Sequence, residues 1–149
     1  MENRKEKRKE TDHSPAFLDS LKHLTDIPEL AFNSTNQLIT LSNIETLEYI
    51  EVNQAFLDTT GYTREEIIGK TSEDIQLYVD LVQSRKYLRL LSRLKKVSDL
   101  EVRLRMCSGE ERTFLFTART FFFGDSIYLI TYYNDISTLN DGYARAESE

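Results

Sequence analysis

Apolar and polar residues alternate in the last third of the chain, which is the pattern of β-strands with one face in water. The alternation is clear over residues 100–106, and residues 112–123 are rich in aromatic and β-branched side chains. Gly124 and Asp125 then predict a two-residue hairpin before a last strand over residues 126–134. Because only tight turns separate these three strands, we expect an antiparallel meander.

Helical spacing and capping residues dominate the middle of the chain. Asn53 is placed to cap a helix that runs through Thr60, and Gly61 follows as its expected end. Thr63 and Glu66 have the spacing of a capping box, which predicts one further helical turn.

The longest predicted helix covers residues 81–96, and Asp80 and Gln83 mark its start. Its apolar side chains share one face: Tyr87, Leu90, Leu91 and Leu94. Two β-like runs, residues 37–41 and 49–52, precede the helical block. This order predicts an α+β fold, with one antiparallel sheet of about five strands and with short helices and one long helix packed on one face.

The N-terminal part has a different pattern. Residues 1–13 interleave basic and acidic side chains and predict a disordered leader. Ser14 and Pro15 are typical of a helix start, so we expect an N-terminal helical extension over residues 14–25. Apolar side chains follow at helical spacing on one of its faces: Phe17, Leu21 and Leu24.

Length and composition limit the function classes. The 149 residues suffice for one domain, which we place at residues 26–138, with an exit linker or tail at 139–149. The net charge of −6 argues against a general nucleic-acid binder, which needs a basic surface. No apolar run is long enough to span a membrane, and the first residues do not form a secretory signal. A single cysteine forms no internal disulfide, so we expect a cytoplasmic protein.

Few residues could support catalysis or metal binding. His13, His23 and Cys107 are the only histidines and cysteine and are spread along the chain, so no nitrogen and sulfur metal site is predicted. The sequence lacks a G-x-S-x-G nucleophile motif and a phosphate-binding glycine loop. We therefore expect no enzymatic activity.

Several short motifs resemble the PAS family of sensory domains. Residues 49–57 and 60–72 resemble the strand, the V-N-x-A-F helix and the T-G-Y-[ST]-x-E-E segment of that family. Residues 99–105 with 108–110 resemble the D-x-E-x-R-x-R hairpin common in bacterial members, and residues 135–137 resemble the D-I-[ST] signature that ends the core. The resemblance covers most of the predicted domain and implies the PAS fold.

The chain departs from the family pattern at three places. Leu47 stands where many relatives have glycine in the first hairpin turn, which predicts a looser turn. Tyr78 lies near the place of a frequent tryptophan. Cys107 and Ser108 replace the usual lysine and aspartate before the second hairpin glycine.

The resemblance also bears on cofactors. Haem-binding members would need an axial histidine on the long helix, and residues 81–96 contain none. Flavin photosensors use the cysteine of an N-C-R-F-L-Q motif, which this chain lacks, and Cys107 lies in a predicted turn. Both haem and a covalently reacting flavin are therefore disfavoured, and the sequence does not identify any other cofactor.

The PAS fold implies an interior between the sheet and the short helices. We expect aromatic and aliphatic side chains to wall it, and these are the candidate ligand-binding residues: Phe56, Tyr62, Ile68, Leu77, Tyr78, Leu91, Leu104, Phe114 and Phe116. Two hypotheses stay open, since these side chains either fill the interior or leave room for an apolar or aromatic small molecule.

The outer face of the sheet is a second candidate site. An apolar patch on the last strand has to be covered, either by the N-terminal helix or by a second subunit. PAS relatives use both, which implies a homodimer with these candidate interface residues: Phe17, Leu21, Leu24, Tyr128, Ile130 and Tyr132.

The sequence thus predicts a PAS sensory domain of the bacterial two-component type. Such a domain binds a small ligand or a protein partner and relays a conformational change to an output module. It is either part of a larger sensor or a free-standing PAS protein. The alternative is a homodimerisation module that binds no ligand.

Overall fold

The computed structural model describes residues 32–33 and 35–137. The predicted leader, the predicted helix over residues 14–25 and the predicted tail lie outside this part of the chain, and so do the candidate residues Phe17, Leu21 and Leu24.

The described residues form a five-stranded antiparallel sheet with helices between its second and third strands. The elements are β1 (Leu38–Asn43), β2 (Tyr49–Val52), α1 (Gln54–Thr60), α2 (Arg64–Ile67), α3 (Leu81–Leu94), β3 (Lys96–Arg105), β4 (Glu111–Phe123) and β5 (Ser126–Asp135). The strand order across the sheet is β2-β1-β5-β4-β3. The predicted α+β fold class is confirmed, and so is the meander of β3, β4 and β5.

The meander is held by long antiparallel ladders. In the β4–β5 ladder, Phe114 pairs with Asp135 at one end and Phe123 pairs with Ser126 at the other. Gly124 has a φ of 61° in the turn between them, a conformation that glycine adopts without strain. The predicted two-residue hairpin is therefore present.

Asn53 fastens α1 to the sheet. Its Oδ1 accepts hydrogen bonds from the backbone N–H of Phe56, which caps the helix, and from that of Ile39 in β1, both at 3.0 Å. Its Nδ2 donates to the carbonyl of Gln37 at 2.8 Å. The predicted cap thus also joins two elements, and its side chain is fully buried.

The other two predicted helix starts are present. Thr63 and Glu66 form the capping box of α2, with both reciprocal hydrogen bonds. The Asp80 carboxylate accepts from the Gln83 N–H at the start of α3.

The end of α3 differs from the sequence prediction. The helix was expected to reach Lys96, but it stops at Leu94, because Lys95 has a φ of 66° and closes the helix as a left-handed cap. Its carbonyl then accepts from the Thr120 N–H at 3.0 Å, so pairing with the sheet replaces the last helical turn. Leu91 is buried in the core, whereas Leu94, expected on the same apolar face, is 60% exposed.

The first hairpin turn is held by hydrogen bonds rather than loose. Leu47 has a φ of 63°, in the left-handed region that glycine adopts without strain, and its N–H donates to the carbonyl of Asn43 at 2.6 Å. The Asn43 side chain accepts from the N–H groups of Glu45 and Thr46. A leucine in this conformation carries backbone strain.

The main core lies between the inner face of the sheet and the helices. Strand alternation sends Phe114, Phe116 and Ala118 of β4 into it, together with Leu91 from α3 and Phe56 from α1. The opposite face of the sheet has a smaller apolar cluster of Phe32, Ile39, Leu41 and Ile130.

Candidate functional site

A cavity of about 70 Å³ lies between α3 and the middle of the sheet. The sheet side of its wall consists mainly of hydroxyl-bearing and apolar side chains: Thr40, Ser42, Tyr49, Phe116, Leu129, Thr131 and Tyr133. The helical side comes from the segment before α3 and from α3 itself: Ser72, Glu73, Tyr78, Ser84, Arg85, Tyr87, Leu88 and Leu91. The cavity is therefore more polar than the predicted apolar interior.

Tyr78 is aimed into the cavity by pairing with the edge of the sheet. The N–H of Val79 donates to the carbonyl of Arg103, and the N–H of Arg105 donates to the carbonyl of Leu77 at 2.7 Å. These bonds make a short bridge between Tyr78 and β3, so the segment before α3 is attached to the sheet on both sides of the tyrosine.

The hydroxyl groups of Tyr78 and Tyr133 are hydrogen-bonded to each other across the cavity. Phe116 contacts both rings, with centroid distances of 6.5 Å to Tyr78 and 5.8 Å to Tyr133. The Tyr87 ring stacks on Phe116 at a centroid distance of 5.8 Å. The hydroxyl contact therefore belongs to a cluster of four aromatic rings.

Burial changes the acidity of the three cavity tyrosines. Loss of solvation raises the pKa of Tyr78 above its ordinary value. Burial, followed by repulsion from Tyr78, raises the pKa of Tyr49 and of Tyr133 well above the ordinary value, although a hydrogen bond with Ser72 opposes the rise at Tyr49. All three phenols stay neutral at physiological pH, so each can donate and accept one hydrogen bond but cannot serve as a base.

An ion pair lies beside the cavity mouth. Glu73 of the segment before α3 and Arg85 of α3 are 3.2 Å apart between Oε1 and Nη2, and both side chains are about half exposed. The pair joins the two elements that form the helical wall. Because it is in contact with water, its contribution to stability is small.

The predicted ligand-binding residues fall into three groups. Tyr78, Leu91 and Phe116 line the cavity. Four others are fully buried or nearly so in the surrounding core and do not line it: Phe56, Leu77, Leu104 and Phe114. Tyr62 and Ile68 are half-buried outside the cavity, and the Tyr62 hydroxyl donates to the carbonyl of Ile75. Their ligand contacts stay predictions.

The hydroxyl-bearing part of the wall was missed by the sequence reasoning. Leu129, Thr131 and Tyr133 alternate with Tyr128, Ile130 and Tyr132 along β5, so period-two alternation already separates the two sets. What the sequence does not show is which set faces the helices. That choice depends on the pairing of β5 between β1 and β4.

The predicted interface residues of β5 lie on the opposite face of the sheet. Tyr128 and Ile130 are each 1% exposed in the single chain, and Tyr132 is half-buried. Little of their surface is left for a partner, and their role in a dimer stays a prediction.

Other reactive or membrane features are few in the described part of the chain. Cys107 is exposed in the β3–β4 turn, where its N–H donates to the carbonyl of Thr60 at 2.7 Å. Among residues 32–33 and 35–137, no three histidine, cysteine, aspartate or glutamate side chains are grouped to hold a metal ion. None of the described helices has the length and apolar character needed to cross a membrane.

A family model described as "PAS domain" matches residues 37–138. The chain belongs to the PAS domain family. The predicted resemblance is thereby confirmed, and the PAS fold accounts for the sheet order and for the position of the cavity. PAS domains are commonly used in signalling and are generally sensory rather than catalytic.

Solved structures with the same fold come from different kinds of protein. The d2 variant of RsLOV has 20% identity to this chain and a TM-score of 0.60. The match covers 70% of this chain and 62% of the RsLOV chain, so this chain spans less than two thirds of the length of RsLOV. A PAS domain from a two-component sensor histidine kinase has 14% identity and a TM-score of 0.61, with 82% and 99% covered. The PAS domain of the fruit-fly ELK potassium channel has 22% identity and a TM-score of 0.64, with 81% and 98% covered.

At these identities the structural likeness shows the fold and not a shared ligand or partner. Comparison with curated protein sequences finds no match.

Proposed function

We propose that this PAS domain is a non-catalytic sensory module of a signalling protein, as in two-component systems. Its cavity takes a small molecule with an aromatic or apolar body and at least one hydrogen-bonding atom. The observation that carries this proposal is the pair of buried hydroxyls, Tyr78 and Tyr133, within a cluster of aromatic rings. Aromatic walls with a few polar groups are typical of small-molecule sites.

The size of the cavity supports a mechanism by population shift. A volume of about 70 Å³ has room for a few water molecules, because each needs roughly 10–15 Å³. A ligand of more than a few atoms must therefore move α3 away from the sheet. Such a ligand binds one packing of the helices and not the other, which is the condition for shifting their populations.

The path to an output module starts on β5. Tyr133 faces the cavity, and Asp135 ends the same strand two residues later. The Asp135 carboxylate lies 3.5 Å from the Arg112 guanidinium of β4, and the Ser137 hydroxyl accepts from the Thr113 N–H at 2.8 Å. A shift of Tyr133 is therefore transmitted along one strand to the segment that leaves the domain, where the output module or partner protein would respond.

One observation favours the alternative of a homodimerisation module without a ligand. Among the described residues, no buried side-chain nitrogen or oxygen lacks a hydrogen-bond partner. The hydroxyls of Tyr78 and Tyr133 already bond to each other, so a ligand would have to replace that bond.

The two candidates are separated by a variant that fills the cavity. Thr131 is buried in the cavity wall, so Thr131→Leu occupies the space, whereas Thr59→Leu changes the same residue type in α1 away from it. Native mass spectrometry of the purified full chain should find a bound small molecule with the wild type and with Thr59→Leu, but not with Thr131→Leu. Melting-temperature shifts against a set of small aromatic compounds would reveal a ligand lost during purification.

The ligand hypothesis is contradicted if no bound mass is found and no compound raises the melting temperature of the wild type more than that of Thr131→Leu. A dimer by light scattering in the same samples would then support the ligand-free module.

A further inference from the structure

The helix α3 differs in charge from the rest of the domain. Its residues 81–94 contain four basic side chains and no acidic one, although the whole chain has a net charge of −6. The preceding segment, residues 45–80, has nine acidic side chains and two basic ones. A solvent-exposed helix usually carries both acidic and basic side chains. The absence of acidic side chains from α3 therefore indicates a role beyond keeping the protein in solution.

The basic side chains of α3 lie on its outward face. Arg85, Arg89 and Arg93 are spaced four residues apart, Lys86 adjoins them, and all four are exposed; we call them the basic stripe. Successive arginines are about 6 Å apart along the helix axis. Like charges at this spacing destabilise a helix, and within the described part of the chain Arg89 and Arg93 make no ion pair that would offset the repulsion.

Exposed apolar side chains accompany the stripe. Val82 lies in line with it, one turn before Arg85, and is 76% exposed, and Leu94 at the end of the helix is 60% exposed. A partner that covers the outward face of α3 would remove this apolar surface from water, which adds a favourable contribution to binding.

We propose that the outward face of α3 is a docking surface for an acidic amphipathic segment of a partner protein. Carboxylates four residues apart on such a segment match the arginine spacing, and arginine binds carboxylates with two parallel hydrogen bonds. Apolar side chains of the partner would cover Val82 and Leu94. The partner is recognised by charge and by apolar contact together.

Other anionic partners fit the surface less well. A nucleic acid would use the arginines but gives Val82 and Leu94 no apolar contact. A lipid surface needs one continuous apolar face to insert, and the face of α3 that contains Leu91 is buried against the sheet. A second copy of the chain could place its own acidic segment on the stripe, and self-association at low salt would reveal this occupant.

The test uses the full chain and a synthetic helix-forming peptide with glutamates four residues apart and leucines on the adjoining face. A shuffled peptide of the same composition is the control probe. Arg89→Glu and Arg93→Glu should each weaken peptide binding about tenfold, with a smaller loss as salt rises. Lys70→Glu reverses an exposed charge away from the stripe and should change binding less than about twofold. Val82→Ser should weaken peptide binding severalfold.

Four results would overturn the proposal. The first is a loss of binding in Lys70→Glu as large as in Arg89→Glu, and the second is equal binding of the shuffled and the designed peptide. The third is tighter binding of polyuridylate RNA or phosphatidylserine vesicles than of the peptide, with no sensitivity to Val82→Ser. The fourth is self-association at low salt, seen by light scattering and abolished by Arg89→Glu, which would assign the stripe to a second copy. Because these residues are exposed, the variants should fold, and Arg89→Gln provides a milder variant if circular dichroism shows otherwise.

Discussion

Tyr78 and Tyr133 are 55 positions apart in the sequence, and their hydroxyl groups meet in the interior. One belongs to the segment before α3 and the other to β5, the strand that leads out of the domain. The contact therefore joins the segment before α3 to the strand that, in the proposed mechanism, transmits a change in helix packing. Substituting either tyrosine by phenylalanine removes one hydroxyl oxygen, so the effect of this contact on the free energy of unfolding can be measured directly.

We expect Tyr78→Phe and Tyr133→Phe each to lower the free energy of unfolding by about 1–3 kcal/mol, because each leaves the other buried hydroxyl without its partner. The double variant should lose less than the sum of the two single losses, since it leaves no orphaned hydroxyl. Urea denaturation of the four proteins measures this coupling. Additive losses would mean that the two hydroxyls do not depend on each other.

Asn53→Ala should lower the free energy of unfolding by about 2–4 kcal/mol, because it removes a helix cap and leaves the N–H of Ile39 and the carbonyl of Gln37 without their partner. Asp80→Ala is the matched control, since Asp80 is an exposed cap that accepts one bond from Gln83, and it should cost about 1 kcal/mol. Denaturant midpoints compare the two variants, and equal losses would contradict the second role assigned to Asn53.

Local chemistry made much of the fold predictable. Helix starts are predictable because the side-chain oxygen of a cap accepts from an N–H only three residues further along the chain. This is the case at Asn53, Thr63 and Asp80. The end of α3 was not predictable in the same way. Lysine is not a residue that favours a left-handed conformation. The conformation of Lys95 is set instead by the hydrogen bond that its carbonyl accepts from Thr120 in a distant strand.

The candidate site was less predictable than the fold because it depends on long-range pairing. Period-two alternation separates Tyr133 from Tyr132, but only the position of β5 between β1 and β4 decides which of them faces the helices. Leu91 and Phe116 were predicted to line the interior because large apolar side chains are usually buried. Thr40 and Thr131 could not be predicted in this way, since threonine is also common on the solvent-exposed face of a strand.

Leu47→Gly should raise the free energy of unfolding by roughly 1 kcal/mol, because glycine adopts the φ of 63° without the strain that a side chain brings. Leu47→Val should lower it by about 1 kcal/mol or more, since a β-branched side chain is worst suited to this region. Thermal or urea unfolding measures both. A loss of stability in Leu47→Gly as large as in Leu47→Val would show that the packing of Leu47 against the cavity outweighs the strain.

The buried tyrosines predict a loss of stability at high pH. Folding raises the pKa of Tyr49, Tyr78 and Tyr133, whereas in the unfolded chain these phenols titrate near the ordinary value of about 10. Above that pH the folded state therefore holds more protons than the unfolded state. Below about pH 10 these groups should not affect the free energy of unfolding. Above it, the free energy of unfolding should fall by up to about 1.4 kcal/mol per pH unit for each phenol.

Urea titrations at a series of alkaline pH values measure this slope, and tyrosinate absorbance reports whether the three phenols ionise only on unfolding. The slope should be shallower in Tyr78→Phe, which removes one such phenol. Ionisation of all the tyrosines near pH 10 in the still-folded protein would contradict their burial around the cavity.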